Sequence, residues 1–333
     1  MRLVVLDGHV LNPGDNSWEP LAEIGSLQVY DRTPPDLVAE RAREADILIN
    51  GKVRIGSAEL DAMPSVRCIG MMSTGYDVVD IREAGRRGIP VINVEAYAAD
   101  AVAQQALALL MELCRHTAVH DASIRRGDWT RNPDWCYWLT PQIDLSGKTL
   151  GILGFGAIGR KFAEIGHALG MRVLAHSRSR HTPPGYEPFA FTDLDTLFSD
   201  SDVLSLHCPL TDETRCIVNA ERLSRMRDGS FLINTGRGGL VDEQAAADAL
   251  RAGKLAGLGS DVAGVEPIRP ENPLLHAPNV LLTPHIAAAT LTARRAILRI
   301  LAENLKSFLA GTPRSVVNTA WLPPSAGESS CGF

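Results

Sequence analysis

GFGAIG, Gly154 to Gly159, spaces three glycines as G-x-G-x-x-G, with the apolar run TLGIL before it and the helical pattern AIGRKFAEIGHAL opening on it. In that strand–turn–helix context Gly154 permits the tight turn, Gly156 lets backbone approach a pyrophosphate, and Gly159 lets helix pack on strand. Phe155, Ala157 and Ile158 complete the turn. The unpaired N–H groups and the dipole of the helix start then hold the anion. The expected ligand is a dinucleotide, and the next strand end says which. An NAD site carries an Asp or Glu about 20 residues beyond the glycines for the ribose 2′-OH, whereas an Arg suits the 2′-phosphate of NADP. Here the strand RVLAH runs into Ser177, Arg178, Ser179 and Arg180. Guanidinium groups clamp a phosphate through paired charge-assisted hydrogen bonds, and the hydroxyls add donors. The reading is NADP(H) by preference, with NAD(H) as the alternative; the plainer alternative is a loop of solvated surface arginines.

Four later apolar runs, DVLSL, SFLIN, LAGLGS and VLLT, also end in residues fit for polar chemistry. They are His207-Cys208-Pro209-Leu210-Thr211, Thr235-Gly236-Arg237-Gly238-Gly239, Asp261 and Pro284-His285. Ligands of open α/β sheets bind outside the carboxyl ends of the strands, so these residues belong to one functional edge. An arginine set among glycines has little to pack on, which favours a guanidinium facing a ligand. No metal site is expected: the six cysteines form no CxxC pair and no ligand spacing.

Positioning such an edge requires two alternating series of strands and helices. RLVVL, LQVY, DILIN and RCIGM in the first hundred residues read as buried strands, with PPDLVAERAREA and VVDIREAGRRG at helical spacing between them. TLGIL, RVLAH, DVLSL, SFLIN, LAGLGS and VLLT form a second series of six, the count of a full dinucleotide-binding sheet. Between the series, AVAQQALALLMELCRH (101–116) is strong helix composition and apolar around most of its circumference, so a buried helix at a domain junction is expected. RRGDWTRNPDWCYWLTPQ then interrupts with Gly, Pro and three tryptophans. A last helix is expected over 292–310, before a short polar tail. The fold class is α/β, with two Rossmann-like doubly wound parallel-sheet domains. Residues 1–99 and 290–333 would form a flavodoxin-like substrate domain, and 100–289 the dinucleotide-binding domain.

At 333 residues the chain has length for two such domains, with a cleft between them. A formal net charge of −6 argues against nucleic acid as a partner. The N-terminal apolar run is too short for a signal peptide, and no run is long enough to cross a bilayer. Scattered single cysteines suit a reducing compartment, so the cytoplasm is the expected location.

GFGAIG, NTGRGGLVDE, DVAGVEP and TPHIAAAT, in that order, resemble the D-isomer specific 2-hydroxyacid dehydrogenases. The similarity spans nearly the whole chain and includes GMMSTGYDVVD. VLDGHVLNPGD and NPDWCYW resemble the glycerate dehydrogenase or glyoxylate/hydroxypyruvate reductase branch. The resemblance implies that Arg237 grips the substrate carboxylate and keto oxygen, that His285 is the acid/base, and that Glu266 is its charged partner. Elementary chemistry agrees. Reducing a 2-keto acid leaves negative charge on oxygen, which a guanidinium stabilises while an imidazolium delivers the proton. A carboxylate beside an imidazole favours its charged form.

The resemblance further implies that Ser73, Thr74 and Gly75 present backbone N–H groups to the substrate carboxylate. Asp261 would meet the nicotinamide carboxamide, and Cys208, Pro209 and Thr235 would line the cofactor. Lys52, after another strand end, would meet a second anionic or hydroxyl group, or else be solvated. The Trp-rich segment resembles a dimer-forming loop, so a homodimer is expected; Trp135 and Trp138 would shape a pocket or, more simply, be packing aromatics. The basic loop departs from the acid that this branch often carries. Two other readings are weaker: a biosynthetic dehydrogenase for a doubly anionic substrate such as a phosphonate, and a dinucleotide-sensing corepressor-like protein.

Overall fold

The computed structural model describes residues 1–179 and 182–323. The chain forms two compact units, Met1–Tyr97 with the segment from Ala289 onward, and Ala98–Ala288.

The first unit is a five-stranded parallel sheet: β1 (Arg2–Val5), β2 (Ser26–Val29), β3 (Ile47–Asn50), β4 (Cys68–Met71) and β5 (Val91–Ile92) in the order β2-β1-β3-β4-β5. That order is flavodoxin-like. Alternate residues serve two cores: Val4, Leu48 and Ile69 face one, and Leu3, Val5, Ile47 and Ile49 the other. Burial on both faces explains why these strands read as unbroken apolar runs. The helix Leu291–Leu309 lays Ile297, Leu298, Leu301 and Leu305 on the second core, and Thr290 caps it by accepting from the Ala293 N–H at 3.2 Å. β5, only two residues long, was not among the expected strands.

Arg294 on that helix organises the segment after β1. Its Nη1 and Nη2 donate to the two carboxylate oxygens of Asp15 at 2.5 and 2.6 Å. Nη1 also donates to the Leu11 carbonyl and Nε to the Ala289 carbonyl, both at 2.9 Å. Arg294→Met strands these acceptors and is expected to cost about 2–4 kcal/mol of unfolding free energy. Donation by Arg294 holds the Asp15 carboxyl below its ordinary range. The contribution of Asp15 is therefore complete above that range and lost as pH falls through the lowered value. Thermal unfolding of wild type and Asp15→Asn should differ at neutral pH and converge in acid; a gap constant with pH contradicts the assignment.

The second unit is a seven-stranded parallel sheet. Its strands are β6 (Thr149–Leu153), β7 (Arg172–His176), β8 (Phe189–Phe191), β9 (Val203–Leu206), β10 (Ser230–Asn234), β11 (Leu255–Ser260) and β12 (Val280–Leu282). The order is β12-β11-β10-β9-β6-β7-β8, so the chain switches direction between β6 and β9. Six of these strands were expected. β8 is a three-residue, partly exposed edge strand with little apolar signal.

The apolar helix, observed as Ala99–Arg115, packs within this unit against β10, β11 and the helix Ala157–Ala168. Gly257 and Gly259 on β11 admit it: a Cβ on either would stand within 2.9 Å of Leu113 or Leu109. A further helix, Thr117–Arg125, lies where no element was expected. After it, Trp135 is 86% exposed and Trp138 70%, which corrects the reading of these two as packing aromatics within one chain. No helix among the described residues is long and apolar enough to cross a membrane.

Candidate active site

The glycine turn lies between the end of β6 and the start of the helix Ala157–Ala168. Gly154 has φ +98°, and a Cβ there would meet the His207 carbonyl carbon and Cys208 nitrogen within 2.6 Å. A Cβ at Gly159 would stand 2.1 Å from the Gly154 carbonyl oxygen. Both glycines are demanded by the fold itself. Gly156 is different: its φ is −80° and a Cβ added there meets nothing within 4 Å. A glycine that internal packing does not require suits a turn kept bare for an approaching pyrophosphate. Gly156→Ala, which adds that Cβ alone, is accordingly expected to keep the wild-type melting temperature within about 2 °C while weakening dinucleotide binding at least about tenfold by titration. Unchanged affinity would remove the turn from the cofactor site.

Phe155 does not face outward. Its ring is buried, 5.2 and 5.3 Å from the rings of Phe189 and Phe191, with the Arg160 guanidinium 4.9 Å from its centroid. Ala157 is exposed and Ile158 half-buried at the helix start.

Beyond β7, Ser177 is half-buried and Ser179 exposed; Arg180 lies outside the described residues. Arg178 is exposed and pairs at 3.6 Å with Glu213, from the loop after β9. At the end of β9, His207 accepts or donates a 2.8 Å hydrogen bond between Nε2 and Ser205 Oγ, and burial depresses its pKa to about 3, which keeps the ring neutral. Burial pushes the neighbouring Cys208 thiol up to about 11, so it stays neutral, with Pro209 exposed beside it. Thr235, after β10, is buried, and its hydroxyl has no hydrogen-bond partner among the described residues. An orphaned donor at this edge fits a bound polar ligand such as a dinucleotide.

The residues expected to react follow β10, β11 and β12. Asn234 Oδ1 accepts from the Gly236 N–H at 3.1 Å and its Nδ2 donates to the Arg237 carbonyl at 2.9 Å, shaping the turn that carries Arg237. Gly238 touches the next loop so closely that a Cβ would stand 2.0 Å from the Ala263 carbonyl. The loops of Arg237 and Glu266 are thus locked together. Glu243 fixes the second of them, accepting from the Gly264 N–H at 2.8 Å and from Asn272 Nδ2 at 2.9 Å.

His285 Nδ1 lies 2.6 Å from Glu266 Oε2. The backbone of His285 is left-handed, φ +56°, an uncommon conformation for a non-glycine residue. Asp261 holds it there. The His285 N–H donates to the Asp261 carbonyl at 2.8 Å, while the buried Asp261 carboxylate accepts from Thr283 Oγ1, Ile286 N and Ala287 N at 2.5, 2.9 and 2.7 Å. Asn234, Glu243 and Thr283 are the contributors that sequence reasoning missed. Asn234, at a strand end one residue before Thr-Gly, carried the usual signal of an Asx turn; the other two had no local signal.

In the first unit, Ser73, Thr74 and Gly75 follow β4. The Ser73 hydroxyl donates to the Gly75 carbonyl at 2.6 Å and that of Thr74 to the Val94 carbonyl at 2.8 Å, so both hydroxyls serve the shape of the loop. Lys52 follows β3, and its N–H donates at 2.5 Å to Asp7, a buried carboxylate whose pKa burial raises. Among the described residues no group of three or more His, Cys, Asp or Glu is placed to hold a metal.

Residues 107–287 match the family model described as D-isomer specific 2-hydroxyacid dehydrogenase, NAD binding domain. A hydroxypyruvate reductase of Blautia hydrogenotrophica is 44% identical over 321 residues, 96% of this chain and 100% of that protein. A glycerate dehydrogenase of Methylorubrum extorquens is 39% identical over 291 residues, 86% of this chain and 90% of that protein. Among solved structures, the NADPH-dependent glyoxylate/hydroxypyruvate reductase of Sinorhizobium meliloti, in complex with NADP and malonate, has a TM-score of 0.82 at 32% identity, covering 97% of this chain and 99% of that one.

Proposed function

Because the chain belongs to the D-isomer specific 2-hydroxyacid dehydrogenase family, we propose that it reduces a small 2-keto acid, hydroxypyruvate or glyoxylate in the first instance, to the D-2-hydroxy acid. The same groups run the reverse oxidation. The activities named for its relatives support this reaction class. The observation that carries the reading is the 2.6 Å pair of Glu266 and His285, on the sheet edge that also carries Arg237 and the glycine turn.

Gly154 to Gly159 hold the pyrophosphate, Ser177 to Arg180 the 2′-phosphate, and Cys208, Pro209 and Thr235 line the crevice. When bound, the nicotinamide supplies hydride to C2 of the keto acid. Arg237 holds the substrate carboxylate and stabilises the charge that grows on the keto oxygen. With Nδ1 committed to Glu266, the proton reaches that oxygen from Nε2 of His285. Glu266 orients the ring and balances its charge. In oxidation neutral Nε2 accepts the proton instead. Asp261 keeps His285 in place and offers its remaining acceptor capacity to the carboxamide. Ser73, Thr74 and Gly75 offer N–H groups to the carboxylate, and Lys52 meets a further polar substituent. NADP(H) is the preferred cofactor, NAD(H) the weaker one. Exposed Trp135 and Trp138 support a homodimer, since apolar surface of that size is usually covered. The expected setting is the cytoplasm.

Initial rates on a panel of 2-keto acids, with NADPH and NADH side by side, test the proposal. Turnover of hydroxypyruvate or glyoxylate supports it; no turnover of any member with either cofactor sinks it.

A further inference from the structure

We propose that Glu213 sets the cofactor preference of this enzyme by competing with the 2′-phosphate for Arg178. The inference rests on the reading of Arg178 as part of a phosphate clamp. Its own basis is topological. β7 and β9 flank β6 in the sheet, so the loops that follow them stand on either side of the glycine turn. Arg178 comes from one side and Glu213 from the other, and they meet at 3.6 Å. The ion pair therefore spans the edge on which the adenosine half of a dinucleotide would lie above the glycine turn. The carboxylate missing from the end of β7 is delivered from the neighbouring side.

Glu213 is held for that task. Its carboxylate accepts from Thr211 Oγ1 at 2.6 Å. Thr211 belongs to a tight turn in which the Thr211 N–H donates to Thr214 Oγ1 at 2.7 Å and Thr214 Oγ1 donates to the Pro209 carbonyl at 2.7 Å. The Thr211 hydrogen bond and the nearby Arg178 both favour the charged carboxylate. With NADP(H), Arg178 exchanges this carboxylate for the phosphate, and the charge left on Glu213 opposes the dianion. With NAD(H), Arg178 keeps its partner and a neutral 2′-hydroxyl meets no such opposition. Glu213 thus narrows the advantage that the basic loop gives to the phosphorylated cofactor.

The test is the dissociation constants of NADPH and NADH, by nucleotide fluorescence, for wild type, Glu213→Gln, Arg178→Ala and the double variant. Glutamine keeps an oxygen for the Thr211 hydroxyl, so the turn is preserved while the charge is removed. Glu213→Gln should tighten NADPH about fivefold and change NADH less than about twofold, as expected for one partly screened charge. The gain should shrink in the Arg178→Ala background, where no guanidinium is left to release. If Arg178→Ala weakens NADPH but Glu213→Gln leaves it unchanged or weaker, this inference falls and the clamp stands. Equal tightening of both cofactors also overturns it, since the pair would then be a latch blind to the 2′ position. If Arg178→Ala leaves NADPH affinity unaltered, the clamp falls and this inference with it.

Discussion

His285→Gln is expected to lower kcat for 2-keto acid reduction by about 10²–10⁴-fold while leaving the NADPH dissociation constant within about twofold of wild type. The size follows from what the ring does. Nδ1 is engaged by Glu266 at 2.6 Å, so the proton would move through Nε2, and glutamine offers no titratable group in its place. The loop should survive the substitution, because the left-handed backbone at position 285 is held through its N–H by Asp261 and Thr283. Glu266→Gln makes the companion test. It retains a hydrogen-bonding oxygen but not the charge, so its loss should be smaller than that of His285→Gln. Single-turnover rates of both variants check the order. A His285→Gln enzyme within threefold of wild type would show that another group carries the proton.

Arg237→Met is expected to reduce kcat/KM by about 10³-fold, with both kcat and KM affected. A guanidinium presents a rigid fork that can hold a carboxylate and still face the keto oxygen, so one side chain supplies both binding and transition-state stabilisation. The fold should lose little, since the contact given up is the 2.9 Å hydrogen bond from Arg237 Nη1 to the Gly236 carbonyl. The rest of the turn is shaped by the Asn234 side chain, which bonds backbone groups at Gly236 and Arg237, and by the contact of Gly238 with Ala263. Arg237→Lys should recover charge but not the fork, leaving a defect of at least about tenfold. Steady-state kinetics with an unchanged melting temperature would establish the role; a loss confined to KM would reduce Arg237 to a binding residue.

The two sheets were legible because parallel strands buried on both faces read as unbroken apolar runs, and the turn residues after them stood out against that background. What escaped was short or partly exposed. β5 and β8 have two and three residues, too few for a pattern. The helix Thr117–Arg125 buries only Ser123 and so shows no apolar stripe.

The site divides along the same line. A glycine turn announces itself locally, and geometry added that Gly154 and Gly159 serve the fold while Gly156 alone is spatially unconstrained. Contacts between loops had no local signal. Glu266 and His285 are 19 residues apart, and their pairing was implied by the family resemblance and not by spacing. Glu243 beneath the Glu266 loop and Glu213 opposite Arg178 lay in ordinary helix and turn sequence. Sequence shows which strand end a residue follows; sheet order decides which ends are neighbours.

The most direct measurement is the reduction of hydroxypyruvate by the wild-type protein with NADPH, followed both by loss of nicotinamide absorbance and by chiral analysis of the product. Stoichiometric consumption of NADPH and formation of D-glycerate alone are expected. Racemic or L-glycerate, or oxidation of NADPH with no hydroxy acid formed, would contradict the proposed reaction.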